Sequence, residues 1–120
     1  MDYSTIKSLK QVVNLTSHDV RVCVGKDIIT VPPSGKVARL KMRSKPHGTV
    51  HGMPVSLSGD DGVLNLPERV DGVVYIASSV VAKSLKRDDV LSPDTTDEAV
   101  LRDGDGNVFA VKRLQCFAVE

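Results

Sequence analysis

The stretch GVVYIASSVVAKSLKRDDVLSPD, residues 72–94, decides how the rest of the chain is interpreted. It opens with the apolar run Val73–Ile76, whose β-branched and aromatic residues are typical of a strand buried on both faces. Serine is a preferred N-cap residue, so the two serines that follow predict one short helix beginning at Ser78 or Ser79. The segment 88–96 is dense in turn formers and predicts a charged polar loop.

The segments on either side of this stretch predict short strands separated by turns. Residues 19–24 and 36–43 alternate apolar and polar side chains, which is the pattern of strands with one apolar face. Residues 99–102 and 108–113 flank the turn sequence DGDGN and predict a hairpin. Further turns or loops are predicted at residues 32–35, 44–48 and 59–62.

Taken together, these signals predict a mainly β fold, a small barrel or sandwich of about eight short strands with one short helix. A length of 120 residues without a repeat or linker predicts a single domain over residues 1–120, with the polar segment 1–10 as a flexible arm. Hydrophobic residues make up 41% of the chain, but it has only two Tyr, two Phe and no Trp. The predicted core therefore consists of Val, Leu and Ile.

Charge and cysteine content narrow the functional classes. Sixteen Lys and Arg face fifteen Asp and Glu, so no overall basic field favours non-specific binding to nucleic acid or to a membrane surface. Cys23 and Cys116 form no CxxC pair and are interpreted as reduced, packed thiols, with a disulfide between them left open. Without a signal-peptide core or a run of transmembrane length, the expected location is the cytoplasm.

Several short motifs resemble a family of small proteins found in phages and bacterial genomes, whose members open with an NLTPHDV-like motif followed by a PPSG turn. The residues that carry the resemblance are NLTSHDV at 14–20, PPSG at 32–35, Ala38-Arg39, YIAS at 75–78, RDD at 87–89, Pro93 and the hairpin from Arg102 to Gly106. Ser17 stands where the family usually has Pro. The resemblance implies a phage or prophage setting, the cytoplasm of the host cell as location, and by analogy a role against host defence.

No catalytic or metal-binding motif is complete. The HxTx element of two-histidine phosphodiesterases occurs once, at His47, without the second copy that such enzymes require. The DGDGN turn begins like a calcium loop, but Val108 and Leu114 occupy positions that need Gly and Glu. The sequence thus predicts a non-enzymatic protein with no metal and no cofactor.

The first functional hypothesis is binding of a small anionic, nucleotide-derived ligand, with sequestration of a host defence signal as its purpose. The candidate ligand-binding residues lie at turns and strand ends, where sites are commonly mounted: His18, Arg21, Arg39, Ser78, Ser79, Arg87 and Arg102. Four of these residues also have a structural interpretation. The serines can act as plain helix caps, the basic row that begins at Arg39 can be a solvated face, and Arg87 can pair with Asp89 or Asp103.

The second hypothesis is a protein-interaction module, a phage inhibitor or assembly accessory that acts through an exposed sheet edge. Short strands leave unpaired edges, and few aromatic residues give a modest core. Association of identical chains would cover both, so a homo-oligomer is expected.

Overall fold

The computed structural model describes residues 11–118 and contains ten strands and one helix within them. The elements are β1 (Gln11–Asn14), β2 (Val20–Val24), β3 (Asp27–Val31), β4 (Arg39–Val50), β5 (Met53–Leu64), β6 (Val73–Ile76), α1 (Ser79–Leu85), β7 (Val90–Pro93), β8 (Val100–Arg102), β9 (Val108–Val111) and β10 (Leu114–Cys116). The mainly β class with one short helix is confirmed. The described strands form three sheets, none of which closes into a barrel. The predicted arm at 1–10 lies outside the described residues.

The first sheet is built around the strand that the sequence places at the centre. Its order is β1-β6-β7-β10, and β6 runs parallel to both of its neighbours. Val74, Tyr75 and Ile76 of β6 are buried, as the apolar run predicts. Parallel neighbours need a crossover connection, and α1 supplies the one between β6 and β7. The helix packs Val81 and Ala82 inward.

The predicted polar loop at 88–96 is wrong in its middle, because β7 occupies it. Val90 and Leu91 pair with Tyr75 and Ile76 of β6 and are buried. The turn-forming residues around this apolar pair are held by side-chain contacts from distant parts of the chain, described below. Composition does not reveal those contacts, so the sequence predicted a loop where the short strand β7 lies.

The second sheet has the order β3-β2-β9-β8. β2 and β3 form an antiparallel hairpin, and β2 continues the sheet by pairing in parallel with β9 at Val22 and Val111. The hairpin predicted around DGDGN is confirmed as β8 and β9. Asp103 holds its turn, because its Oδ1 accepts the backbone N–H groups of Asp105 and Asn107 at 2.9 and 3.0 Å. We call β8, β9 and this turn the acidic hairpin.

The third sheet is a two-stranded ribbon of β4 and β5, twelve residues each, which we call the long hairpin. The loop predicted at 44–48 and the turn predicted at 59–62 are therefore wrong, because the strands continue through both. Register shifts near Met42 and near Pro46 accommodate the extra residues, as β-bulges do. The hairpin turns instead at His51 and Gly52, whose φ angles are both positive, 48° and 77°.

The core lies between α1 and the first sheet. Its buried cluster consists of Leu15, Ala38, Tyr75, Ala77, Val81, Ala82 and Val90. The base of the long hairpin joins this cluster through Leu40 and Val63, whereas nearly all of the remaining hairpin is exposed. The radius of gyration is 17.2 Å, above the roughly 13–14 Å of a compact chain of this length. Within residues 11–118, no helix is long and apolar enough to cross a membrane.

Candidate functional site: a groove beside the first sheet

Three segments are hydrogen-bonded side by side where β1 ends. The N–H of Leu15 donates to the carbonyl of Ile76 at 2.7 Å, and the N–H of Ala38 donates to the carbonyl of Leu15 at 3.0 Å. The end of β6, the turn after β1 and the residues before the long hairpin are thereby fixed relative to one another. Between them and α1 lies an open groove with a volume of 370 Å³, which we call the groove.

The groove has an apolar floor and a polar rim. Core residues Leu15, Ala38 and Val81 line it, and Arg39 and Ser78 contribute polar side chains. Arg39 is exposed, and its guanidinium makes no hydrogen bond or ion pair with any residue between 11 and 118. An unpaired guanidinium beside an apolar floor can bind the charged end of a ligand whose flat apolar part packs on that floor.

The two serines occupy the start of α1 in different roles. Ser78 is the N-cap, and its Oγ accepts the backbone N–H of Val81 at 3.4 Å. Ser79 is the first helical residue and is exposed. Ser78 is thus a plain helix cap, the structural alternative that its sequence position left open, and its hydroxyl also reaches the groove.

His18 and Arg21 do not line the groove. Together with Val108 and Phe109 they border a separate open depression of 300 Å³. The guanidinium of Arg21 pairs with Asp19 at 3.2 Å on the surface, and the backbone carbonyl of His18 accepts two side-chain hydrogen bonds from within its own turn.

Arg87 forms the structural tie with Asp89 that the sequence allowed as an alternative. Its Nε donates to Asp89 Oδ1 at 2.8 Å, and its Nη2 donates to Asp89 Oδ2 at 2.6 Å. The Asp89 carboxylate is buried, and burial alone raises its pKa. The hydrogen bond and charge of Arg87, with the charge of Arg69, outweigh burial and hold the pKa of Asp89 below its usual value. The Arg87 fork is therefore occupied by protein.

Arg102 lies at the end of β8, in the acidic hairpin. One guanidinium nitrogen donates to the carbonyl of Gly106 at 2.8 Å, across the turn. Of the seven predicted site residues, the structure thus brings Arg39 and Ser78 together in the groove. It brings His18 and Arg21 together in a second depression and leaves Ser79, Arg87 and Arg102 outside both.

The residue that organises this end of the molecule was missed by the sequence reasoning. Asn14 is 1% exposed, yet its amide is fully hydrogen-bonded. Nδ2 donates to the carbonyls of His18 at 2.7 Å and Val31 at 2.9 Å. Oδ1 accepts the N–H and the hydroxyl of Thr16 at 2.9 and 2.7 Å. One side chain therefore shapes the turn after β1 and anchors it to β3.

A second turn repeats this local arrangement. Asp94 directly follows β7, and its Oδ1 accepts the N–H and the hydroxyl of Thr96 at 3.0 and 2.8 Å. Its other oxygen accepts Arg113 Nε at 2.8 Å. The Thr96 hydrogen bonds are the main reason why the pKa of Asp94 lies below its usual value, and Arg113 adds to them. The shared Asx-x-Thr spacing at residues 14–16 and 94–96 is the signal that could have identified both turns.

Metal-ligating side chains are dispersed in the part of the chain that the structure describes. No three His, Cys, Asp or Glu side chains within it are grouped so that they could hold an ion. Both cysteines are free thiols, and Cys23 is half-buried. Cys116 is exposed, so the interpretation of it as a packed thiol is wrong.

Comparison of the chain with protein-family models, with curated protein sequences and with solved structures gives no match. What the groove can bind therefore has to be inferred from its own side chains.

Proposed function

We propose that the chain is a non-enzymatic binding protein whose groove takes a small anionic, nucleotide-derived ligand. The observation that carries this proposal is the unpaired Arg39 guanidinium at the edge of an apolar groove. Small-molecule sites are typically concave, largely apolar and roughly 300–1,000 Å³ in volume, with a few polar groups that set orientation. The groove fits this description at the lower end of the range.

The side chains that line the groove suit different parts of a nucleotide. The apolar floor at Leu15 and Val81 suits the flat face of a base, because both side chains already belong to the core and are fixed by it. Arg39 suits a phosphate, because its planar fork can donate two parallel hydrogen bonds to one anion. Ser78 also lines the groove and adds a hydroxyl to its polar groups.

The proposed setting is the cytoplasm of a phage-infected cell, which rests on the resemblance of the sequence motifs. A protein that binds a nucleotide without converting it would lower the free concentration of that nucleotide. In that setting, the proposed purpose is sequestration of a host defence signal.

Calorimetric titration with nucleoside monophosphates, nucleoside diphosphates and cyclic dinucleotides tests the groove. Arg39→Ala should weaken binding by about 10- to 150-fold, which corresponds to roughly 1.5–3 kcal/mol for a charged hydrogen bond. Lys112→Ala removes the same charge from an exposed position outside the groove and should bind like the unaltered protein. The proposal fails if no nucleotide binds and none is recovered from gently denatured protein, or if Arg39→Ala binds normally.

The second candidate function is a protein-interaction module, and the long hairpin favours it. Its exposed apolar side chains have no partner among the described residues, and β3, an exposed edge strand, offers the kind of sheet edge that the sequence suggested. Replacing Val55 and Leu57 with serine should abolish binding to a partner protein and leave nucleotide binding intact. Loss of nucleotide binding in this variant would contradict the separation of the two surfaces.

A further inference from the structure

We propose that the long hairpin of one copy of the chain docks on the acidic hairpin of a second copy. The first observation is an apolar face on the outer half of the long hairpin. Met53, Val55 and Leu57 alternate along β5 and so point to one face, and Val50 lies opposite Met53. These four side chains are between 37% and 60% exposed. The other face carries Pro54, Ser56 and Ser58 on β5.

A ribbon of this kind is unstable without a covering surface. A two-stranded hairpin alone in water is marginally stable at best and needs a third strand or a packing layer. Among the described residues, no third strand pairs with the long hairpin. Beyond Leu40 and Val63, nearly all of its side chains are exposed, so no layer packs on it. The one-sided apolar pattern indicates that a partner covers that face.

Charge identifies the partner as a copy of the same chain. The long hairpin, residues 39–64, carries four Lys and Arg against two Asp. Residues 97–107, which include the turn of the acidic hairpin, carry four Asp and Glu against one Arg, not counting Asp94, whose charge is paired with Arg113. The chain as a whole is nearly neutral, so it separates opposite charges onto two of its own surfaces. Complementary charge of this kind selects partners and fixes their register.

The two surfaces also match in detail. On the long hairpin, Lys45 lies opposite Leu57, so a cation borders the apolar face. On the acidic hairpin, the turn containing Asp105 directly precedes Val108 and Phe109, which are 46% and 43% exposed. A basic residue beside an apolar patch on one copy thus meets an acidic residue beside an apolar patch on the other copy. Both apolar patches stay exposed within a single chain, so the docking must join two chains. A closed oligomer, dimer or ring, covers every long hairpin in this way.

Self-association of the full chain, measured by light scattering and sedimentation across a concentration series, tests the contact. The unaltered protein should associate, and the combined variant Val55→Ser with Leu57→Ser should be monomeric with an unchanged circular dichroism spectrum. A monomeric unaltered protein at every concentration would overturn the proposal. So would normal association of the Val55→Ser, Leu57→Ser variant, since the contact would then lie elsewhere.

A charge-swap mixture makes the test specific to the two surfaces. Lys45→Glu alone and Asp105→Lys alone should each weaken association about tenfold or more, because like charges then face one another. Mixing these two variants should restore association. In a mixed dimer, Glu at 45 meets Lys at 105 in one contact, and the original pair forms the other. Lys83→Glu, an exposed position on α1 outside both surfaces, is the control for an unrelated charge reversal. Singles that associate normally, or a mixture that stays monomeric, would refute this pairing.

Discussion

At the scale of single residues, Asn14 is the side chain whose loss we expect to be most damaging. Asn14→Asp keeps its shape and its acceptor but replaces the amide donor with a carboxylate oxygen that faces the carbonyls of His18 and Val31. Two lost hydrogen bonds and a buried charge should lower the free energy of unfolding by about 3 kcal/mol or more. Chemical denaturation measures the loss.

The matched control for that change is Asn107→Asp, which makes the same chemical substitution on an exposed residue in the acidic hairpin. It should change stability by less than about 0.5 kcal/mol, as surface substitutions usually do. Equal losses in the two variants would mean that the hydrogen bonds of Asn14 do not hold the fold.

Acid should destabilise the protein through Asp89, and Arg87 sets the size of the effect. Because the pKa of Asp89 is lower in the folded chain than in the unfolded chain, the unfolded state takes up protons first as pH falls. The stabilisation is therefore complete above the ordinary aspartate pKa of about 3.9 and is lost below it, as pH falls through the lowered value. The pKa of Asp94 is also lowered in the folded chain, so Asp94 should likewise contribute to the loss of stability in acid. Melting temperature measured against pH should show this decline.

Arg87→Ala should lower the free energy of unfolding at neutral pH by about 2–3 kcal/mol, because it leaves the buried Asp89 carboxylate with only Arg69 as an ionic partner. It should also flatten the acid decline, since burial, which raises the pKa of Asp89, is then opposed by the charge of Arg69 but no longer by the hydrogen bond and charge of Arg87. Arg21→Ala breaks an exposed pair and is the control. An unchanged pH profile in Arg87→Ala would assign the acid sensitivity to other carboxylates.

Residue roles were predictable from the sequence where the partner is close in the chain. Ser78 as a cap and Arg87 as the partner of Asp89 were both weighed, since those contacts span three and two residues. The turn at Asn14 has a local signal in its Asx-x-Thr spacing, which was overlooked. Its bond to Val31, seventeen residues away, has none. Likewise, the groove depends on contacts among residues near 15, 38 and 78, whose proximity no local pattern reveals.

At the scale of elements, local patterning succeeded where an element's own residues dictate it. The run in β6, the serine cap of α1 and the DGDGN turn each carry a strong local preference, and all three elements were found. The sequence predicted a loop and a turn within the long hairpin because Pro46, Gly59 and Gly62 are typical turn residues. In the structure, bulges and exposed edges tolerate them within the strands.

The turn of the long hairpin gives the prediction at this scale. Gly52 has a φ of +77°, so Gly52→Ala is strained although nothing lies within 4 Å of the added carbon. The change should cost about 1 kcal/mol and speed amide exchange in β4 and β5 rather than in the core sheet. Gly104 does not have a positive φ of this kind and nothing lies within 4 Å of the added carbon, so Gly104→Ala should have little effect. Faster exchange in β6 after Gly52→Ala would show that the long hairpin is coupled to the core.

At the scale of the whole molecule, the structure separates a body that holds the core and the groove from the outer part of the long hairpin. Only the base of the hairpin contributes to the body, and Arg39 and Leu40 there line the groove. Leu40 and Val63 at the hairpin's base pack against the buried cluster, and no residue from the outer part of the hairpin does so. This separation could not be predicted from composition, since the apolar residues of the long hairpin look like core residues in sequence. The structure shows that these apolar residues lie outside the body, because β4 and β5 pair with each other and with no other described strand.

Shortening the long hairpin should therefore leave a folded body. Met42 lies directly opposite Asp60, so replacing residues 43–59 with Asn-Gly closes the strands with a favoured two-residue turn. The shortened chain should unfold cooperatively and keep its nucleotide binding, because Arg39 and the groove are retained. It should also be monomeric, because the surface proposed to contact a second copy is gone. Calorimetry and light scattering on this one variant measure all three properties. A shortened chain that fails to fold would show that the outer hairpin stabilises the body, and one that folds but still associates would place the interface on the body.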